Sequence, residues 1–141
     1  MMLSDLDSFL SPRSIAIVGA SSHDGKIGAA PVRYLVEHGY GGDIYPVNAR
    51  AQEIGGRRAY ATLQAVGRPI DLAILAIPAS GAGAALDDAI AAGVKNIVMF
   101  SAGFAEMGAQ GELAQRAFAA KAGAAGIRVL GPNCLGFMNL A

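Results

Sequence analysis

Short apolar runs alternate with stretches of helical periodicity along most of the chain. The apolar runs predict five β-strands, at residues 14–19, 43–48, 71–77, 95–100 and 127–130. Unbroken apolar character is typical of strands that are buried on both faces of a parallel sheet. Apolar residues at helical spacing, each group ending near a glycine, predict helices at 28–39, 83–92 and 110–122.

The interval 51–69 has the weakest pattern, with only a short helix predicted over 60–66. Alternation of strands and helices with short loops indicates βαβ units with right-handed crossovers. The predicted fold class is therefore α/β: a Rossmann-like, doubly wound, mainly parallel sheet of about five strands, in a single three-layer domain covering residues 1–141. Pro46 cannot donate a hydrogen bond to a neighbouring strand, which predicts a position near a strand end or at the sheet edge.

Composition and charge exclude several classes of protein. The 141 residues are 53% hydrophobic and 16% charged, with 11 basic and 11 acidic side chains. This balance excludes intrinsic disorder and argues against a dedicated nucleic-acid binder, which needs excess positive charge. No apolar run approaches the roughly 20 residues of a membrane-spanning helix. Cys134 is the only cysteine, which excludes a disulfide scaffold and fits a reducing compartment such as the cytoplasm.

The loop after the first strand is the first candidate site. Residues 19–28 are mostly small or polar and lead into a predicted helix. Free backbone N–H groups and the positive end of the helix dipole make such a loop an anion site, typically for a phosphate or pyrophosphate. The hydroxyls of Ser21 and Ser22 and the ammonium of Lys26 can add donors and charge. A plain strand–helix turn is the alternative interpretation.

Two features bear on which nucleotide this loop would hold. Ser21 stands where the dinucleotide fingerprint has its second glycine, and the third glycine comes late. Residues 47–50 contain Arg50 and lack the Asp or Glu that binds the ribose hydroxyls of NAD. NAD is therefore disfavoured, whereas NADP and coenzyme A both carry a ribose phosphate with which Arg50 can pair. A solvated arginine without a ligand fits the same spacing.

The later strand ends are also small and open. Pro78 follows the third strand, and its fixed backbone leaves a flat apolar ledge suited to a pantetheine arm or a nicotinamide riboside. Residues 101–104 and 131–136 follow the fourth and fifth strands. No acid–base pair, nucleophile–histidine arrangement or metal-ligand cluster appears at these ends, so no catalytic or metal-binding residue is predicted. We interpret His23 as a solvated loop histidine and Cys134 as a buried structural cysteine.

Five motifs, taken together, resemble one protein family. They are residues 9–21, 44–48, 77–79, 101–106 and 131–136, which occur in the family's order and extend over nearly the whole chain. On these motifs the chain resembles the N-terminal coenzyme A-binding domain of ADP-forming acyl-CoA synthetases, which are relatives of the succinyl-CoA synthetase α subunit. Ala49 departs from the pattern, because related proteins usually have proline there.

The resemblance implies a path for coenzyme A (CoA) across the strand ends. The phosphates would contact the first loop, at Gly19, Ala20, Ser21, Ser22, Lys26 and Gly28. The adenosine end would be lined by Val47, Asn48 and Arg50. The pantetheine would lie between two segments, formed by Ile77, Pro78 and Ala79 and by Phe100, Ser101, Ala102 and Gly103. The thiol end would lie toward Asn133 and Cys134.

The resemblance also implies a reaction that needs further domains: acid, CoA and ATP give acyl-CoA, ADP and phosphate, through an acyl phosphate and a phosphohistidine. Those steps belong to ligase and ATP-grasp domains that 141 residues do not accommodate. The chain is therefore expected to be a domain of a larger protein that is not catalytic alone. Its expected partners are those ligase and ATP-grasp domains or a subunit that carries them, and self-association into a homo-oligomer is compatible with this reading. Three alternatives stay open: an NAD(P)-binding oxidoreductase or nucleotide-sensing domain, the CoA-binding body of a protein acetyltransferase, and a stand-alone regulatory CoA-binding protein.

Overall fold

The computed structural model describes residues 4–134. Its helices are α1 (Ser4–Leu10), α2 (Ala29–Glu37), α3 (Leu63–Val66), α4 (Ala82–Ala91) and α5 (Ala109–Ala124). Its strands are β1 (Ser14–Val18), β2 (Asp43–Val47), β3 (Glu53–Ile54), β4 (Arg57–Arg58), β5 (Leu72–Leu75), β6 (Asn96–Met99) and β7 (Arg128–Leu130). The five predicted strands and three longer helices are all present, which confirms the alternation predicted from the apolar pattern.

Five parallel strands form the central sheet, in the order β2-β1-β5-β6-β7. From β1 the chain runs through α2 to β2 at one edge, and then returns to β5 on the opposite side of β1. The order of the strands therefore reverses its direction between β1 and β5. Doubly wound sheets bind ligands beside this reversal, outside the carboxyl ends of the strands. Pro46 lies in the edge strand β2, which confirms its predicted position.

Apolar side chains cover both faces of this sheet. On one face, Ala73 and Ile97 are fully buried and share a cluster with Leu86 of α4. On the other face, Ile17 packs in a cluster with Val32 of α2. Complete burial of a leucine or isoleucine side chain contributes about 1.5–3 kcal/mol. The resulting layers, helix on sheet on helix, confirm the Rossmann-like, doubly wound α/β class.

The interval with the weak pattern contains a hairpin that the sequence analysis did not predict. Its strands, β3 and β4, have two residues each and pair across Gly55 and Gly56, whose φ angles are +59° and +73°. Such left-handed values suit a tight hairpin turn. The predicted helix over 60–66 is shorter in the structure, because Thr62 caps α3 by accepting a backbone hydrogen bond and Gly67 ends it. Helix α1 was also not predicted.

Candidate functional site

A cavity of about 900 Å³ opens at the carboxyl ends of the central strands. The segments that follow β1, β2, β5, β6 and β7 all contribute to its wall. Its volume is within the range of pockets that hold cofactor-sized molecules. The lining residues in the described part of the chain are Gly19, Ala20, Ser21, His23, Lys26, Ile27, Gly28, Asn48, Arg50, Ala51, Ala76, Ile77, Pro78, Phe100, Ser101, Ala102 and Asn133.

Two glycines allow the segment of residues 19–28, the 19–28 loop, to fold back on itself. Gly19 has a φ of +86°, and its N–H donates to the carbonyl of Val47 at 3.0 Å. A Cβ on Gly28 would lie 1.9 Å from the carbonyl oxygen of Gly19, whereas a Cβ on Gly25 would have no atom within 4 Å. The start of α2 therefore approaches the end of β1 only because glycine occupies position 28.

Hydrogen bonds within the 19–28 loop fix its shape. The N–H of Ser21 donates to the carbonyl of Gly28 at 3.3 Å, and that of Lys26 to the carbonyl of His23 at 2.9 Å. The Ser21 hydroxyl accepts from the N–H of His23 at 3.0 Å, and a hydroxyl in this role still has a proton to donate. Helix α2 begins one residue after Gly28, so the positive end of its dipole lies at the cavity. The loop is therefore suited to an anion.

The charged side chains of the cavity wall are cationic. Lys26 and Arg50 line the cavity, His23 adds an imidazole, and no Asp or Glu lines it among residues 4–134. The 19–28 loop does contain one acid, Asp24, but its Oδ1 lies 3.1 Å from Nη1 of Arg33 on α2. An anionic ligand would thus meet positive charge without an opposing carboxylate on the wall.

Glu106 lies near this wall without lining it. Its carboxylate accepts hydrogen bonds from the backbone N–H groups of Gly103 and Phe104, the second at 3.1 Å. Backbone N–H donors, that of Gly103 foremost, hold the pKa of Glu106 below its usual range. The ionised carboxylate therefore acts as a cap on this turn at neutral pH.

Asn48 joins the ends of β1 and β2. Its Nδ2 donates to the carbonyl of Ala20 at 2.9 Å. Its Oδ1 accepts from the N–H of Arg50 at 2.8 Å and from that of Ala51 at 3.2 Å. The amide of Asn48 is therefore engaged with backbone, and its structural effect is to fix the turn that carries Arg50 to the cavity.

A second set of hydrogen bonds joins the ends of β5, β6 and β7. The hydroxyl of Ser101, which is 4% exposed, donates to the carbonyl of Ile77. The N–H of Asn133 donates to the carbonyl of Ser101 at 2.9 Å, and the N–H of Cys134 to the carbonyl of Met99 at 3.2 Å. These bonds place Asn133 beside Ser101 at the wall and hold the three strand ends together.

Most of the residues predicted for the site lie on the cavity wall, and a minority do not. The predicted residues that the wall lacks are Ser22, Val47, Ala79, Gly103 and Cys134. Val47 is 4% exposed and packs in the core on the same face of the sheet as Tyr45. Contact of any of these residues with a ligand remains a prediction.

Four lining residues were not predicted as contacts: His23, Ile27, Ala51 and Ala76. His23 had been interpreted as a solvated histidine. Ile27 is 52% exposed, and an isoleucine in an otherwise small, polar loop was the available signal. Ala51 and Ala76 carry no chemical signal in the sequence, because alanine is frequent throughout the chain.

Other kinds of site are not present in the described range. No group of three or more His, Cys, Asp or Glu side chains within residues 4–134 is arranged to hold a metal ion. No helix in that range is both long and apolar enough to cross a lipid bilayer, the longest being α5 with 16 residues. The cavity at the strand ends is therefore the main candidate for function.

Comparison with known proteins identifies the family. The family described as "CoA binding domain" matches residues 13–139. The chain belongs to this family. This CoA-binding domain is 38% identical over 134 residues to the α subunit of acetate–CoA ligase (ADP-forming) II from Pyrococcus furiosus. It has the same identity, over the same number of residues, to a trans-feruloyl-CoA synthase from an unknown prokaryotic organism. A solved structure of dinucleotide-forming acetyl-coenzyme A synthetase 1 from Ca. Korarchaeum cryptofilum, with phosphate and ADP, matches with a TM-score of 0.90 and 36% identity.

Each of these alignments covers 95% of the CoA-binding domain but less than a third of the relative: 29%, 19% and 28%, respectively. The matches confirm the resemblance drawn from the motifs and confirm coenzyme A as the ligand class of this domain. The two curated relatives are equally similar to this chain although they are named for different acids. Similarity in this domain therefore does not distinguish the acids.

Proposed function

We propose that the cavity at the strand ends is the CoA site, with the phosphates on the 19–28 loop. The observation that carries this proposal is the charge of the wall: Lys26 and Arg50 line it, and no carboxylate of residues 4–134 does. The close approach of Gly28 to Gly19 supports it further, because a backbone free of side chains can come near a phosphate. The pyrophosphate would accept hydrogen bonds from N–H groups of the loop. The first turn of α2 adds few donors, because the N–H of Ala29 donates to the carbonyl of Lys26 at 3.1 Å and Pro31 has no N–H.

Arg50 would pair with the phosphate on the adenosine ribose. Its backbone is held by Asn48, and its side chain is exposed at the cavity wall, as a group that captures a ligand phosphate must be. The absence of an acid from the lining residues in the described part of the chain fits a ribose phosphate and disfavours the free hydroxyls of NAD. Val47 and Ser22 would act in this region through the backbone, since their side chains do not reach the wall.

The pantetheine arm would lie across the apolar part of the wall. Ile77 and Pro78 on one side and Phe100 and Ala102 on the other offer apolar contact to its methyl and methylene groups. Ala79 and Gly103 flank these segments. The thiol would point toward Asn133, with Cys134 behind it; we assign no catalytic role to Cys134.

We further propose that the domain serves an ADP-forming acyl-CoA synthetase, which joins an acid to CoA while ATP becomes ADP and phosphate. Its part is to bind and orient CoA, and no group of three or more His, Cys, Asp or Glu side chains within residues 4–134 could hold a metal ion. A ligase domain and an ATP-grasp domain, in the same chain or another subunit, would be its partners, in the cytoplasm. A downstream histidine-bearing ligase domain in the parent reading frame would separate this role from that of a regulatory CoA-binding protein.

Calorimetry with CoA, dephospho-CoA, NADP and NAD tests the proposal. CoA is expected to bind, and Arg50→Ala to weaken CoA roughly five- to tenfold while leaving dephospho-CoA unchanged, because only CoA has the ribose phosphate. Arg57→Ala is the matched control, since Arg57 is exposed on the hairpin away from the wall. Equal losses for CoA and dephospho-CoA would remove the role of Arg50, and binding of NADP without CoA would overturn the proposal.

A further inference from the structure

We propose that Arg33 is a positioning residue for the anion site: it holds the Asp24 carboxylate away from the bound phosphates. This inference rests on the proposed function, in which the 19–28 loop binds the pyrophosphate of CoA. Asp24 lies between His23 and Lys26, which both line the cavity, yet Asp24 does not line it. Its Oδ1 lies instead 3.1 Å from Nη1 of Arg33.

Arg33 is held on the flank of α2 by its own neighbours. Its Nε lies 4.0 Å from Oε1 of Glu37, one turn further along the helix, and its Cζ lies 5.1 Å from the ring centroid of Tyr34. The Arg33 side chain is 43% exposed, whereas that of Asp24 is 89% exposed. Arg33 is therefore the better-anchored partner, and the ion pair holds the exposed carboxylate of Asp24 toward the helix.

Without Arg33, the Asp24 carboxylate would have other partners close by. Lys26 is two residues away, so their Cα atoms are separated by less than about 8 Å. A released carboxylate can therefore pair with Lys26 and neutralise a cation of the wall. It would also repel a bound pyrophosphate, because charges within the Debye length of about 8 Å at physiological salt are not fully screened.

A double-mutant cycle on CoA affinity tests this role. Arg33→Gln is expected to weaken CoA about fivefold, Asp24→Asn to change it less than twofold, and the double variant to bind within about twofold of the original protein. Dephospho-CoA should show the same pattern, because it keeps the pyrophosphate. The fivefold effect should shrink as salt is raised from about 50 mM to 300 mM, as the interaction is electrostatic. Arg33→Lys, which keeps the cation, should retain most of the affinity.

Several outcomes would overturn the inference. Additive effects of the two substitutions would mean that each charge acts independently on the ligand. Equal, salt-independent losses in both single variants and in the double variant would mean that the ion pair only braces the loop. The matched control is the double variant Glu112→Gln, Arg116→Gln, which removes an exposed ion pair within α5. It should leave CoA affinity unchanged. Failure of the proposed function is distinguishable, because the unsubstituted protein would then not bind CoA.

Discussion

The contact between Gly28 and Gly19 gives the sharpest prediction for a single methyl group. In Gly28→Ala the new Cβ would lie 1.9 Å from the carbonyl oxygen of Gly19, and real Cβ atoms essentially never approach closer than 3.0 Å. The loop must therefore open by at least 1.1 Å, the difference between these distances. The atom in the way belongs to the backbone at the end of β1, so no side chain can turn aside to make room.

The expected cost of this opening is about 3 kcal/mol of unfolding free energy, at the upper end of the usual penalty for overpacking. Gly25→Ala is the matched control, because its Cβ would meet no atom within 4 Å and its effect should be within about 0.5 kcal/mol. CoA affinity should fall at least about tenfold in Gly28→Ala, because displaced N–H groups no longer meet the phosphates. It should be unchanged in Gly25→Ala.

Urea unfolding followed by circular dichroism measures the first quantity, and calorimetry with CoA measures the second. The reasoning is refuted if Gly28→Ala matches Gly25→Ala in both stability and affinity. A stable Gly28→Ala variant that has lost only affinity would show that the loop opens without disturbing the core, and would contradict the stability estimate alone.

The remaining predictions concern three polar side chains. The hydroxyl of Tyr40 donates to the carbonyl of Pro12 at 2.6 Å, and its pKa is raised to about 12, chiefly by burial and then by nearby carboxylates. The free energy of unfolding should therefore fall as pH rises from about 10 toward 12, where only the unfolded state loses this proton. In urea-unfolding measurements, Tyr40→Phe should show a smaller alkaline decline. Asp88 accepts two backbone hydrogen bonds at the start of α3, at 2.7 and 3.2 Å, so Asp88→Ala should cost about 1–3 kcal/mol of unfolding free energy. Ser101→Ala should cost about 1–2 kcal/mol, because it leaves the carbonyl of Ile77 unpaired, and should weaken CoA in calorimetry.

Each of these has a control within the chain. Asp87→Ala removes only an exposed ion pair with Lys121, which should contribute less than about 1 kcal/mol; an equal loss from Asp87 and Asp88 would contradict the capping role. Ser22→Ala, at an exposed position off the wall, should not change CoA affinity. An alkaline decline in Tyr40→Phe as steep as in the original protein would remove the role assigned to Tyr40.

The central sheet could be predicted because its strands are unbroken apolar runs, and such runs have few alternatives to burial. The site followed from the fold, since the carboxyl ends of parallel strands lie at one edge. The hairpin at β3 and β4 has one local signal, the pair Gly55-Gly56 at its turn. Its two-residue strands are too short to show an alternating pattern, and the burial of Ile54 in a cluster with Val32 of α2 depends on residues far apart in the sequence.

The roles of individual site residues were harder to predict than the location of the site. Asn48 stands at a strand end, where a polar side chain can bind ligand or backbone, and its spacing is the same in both cases. In the structure its amide bonds to the backbone of Ala20, Arg50 and Ala51. The separation of Asp24 from the cavity likewise depends on Arg33, nine residues along the chain, and only the folded loop brings the two together.

NMR titration of the isotopically labelled domain with CoA would locate the ligand on the fold. The largest amide shifts are predicted at residues 19–28 and at Arg50, Ile77 and Ser101, which lie at or beyond the carboxyl ends of the strands. Little change is predicted at Asp71 and Asn96, which lie at the amino ends of β5 and β6. Shifts confined to the amino ends of the strands, or no shifts with CoA at saturating concentration, would contradict the assignment of the cavity as the CoA site.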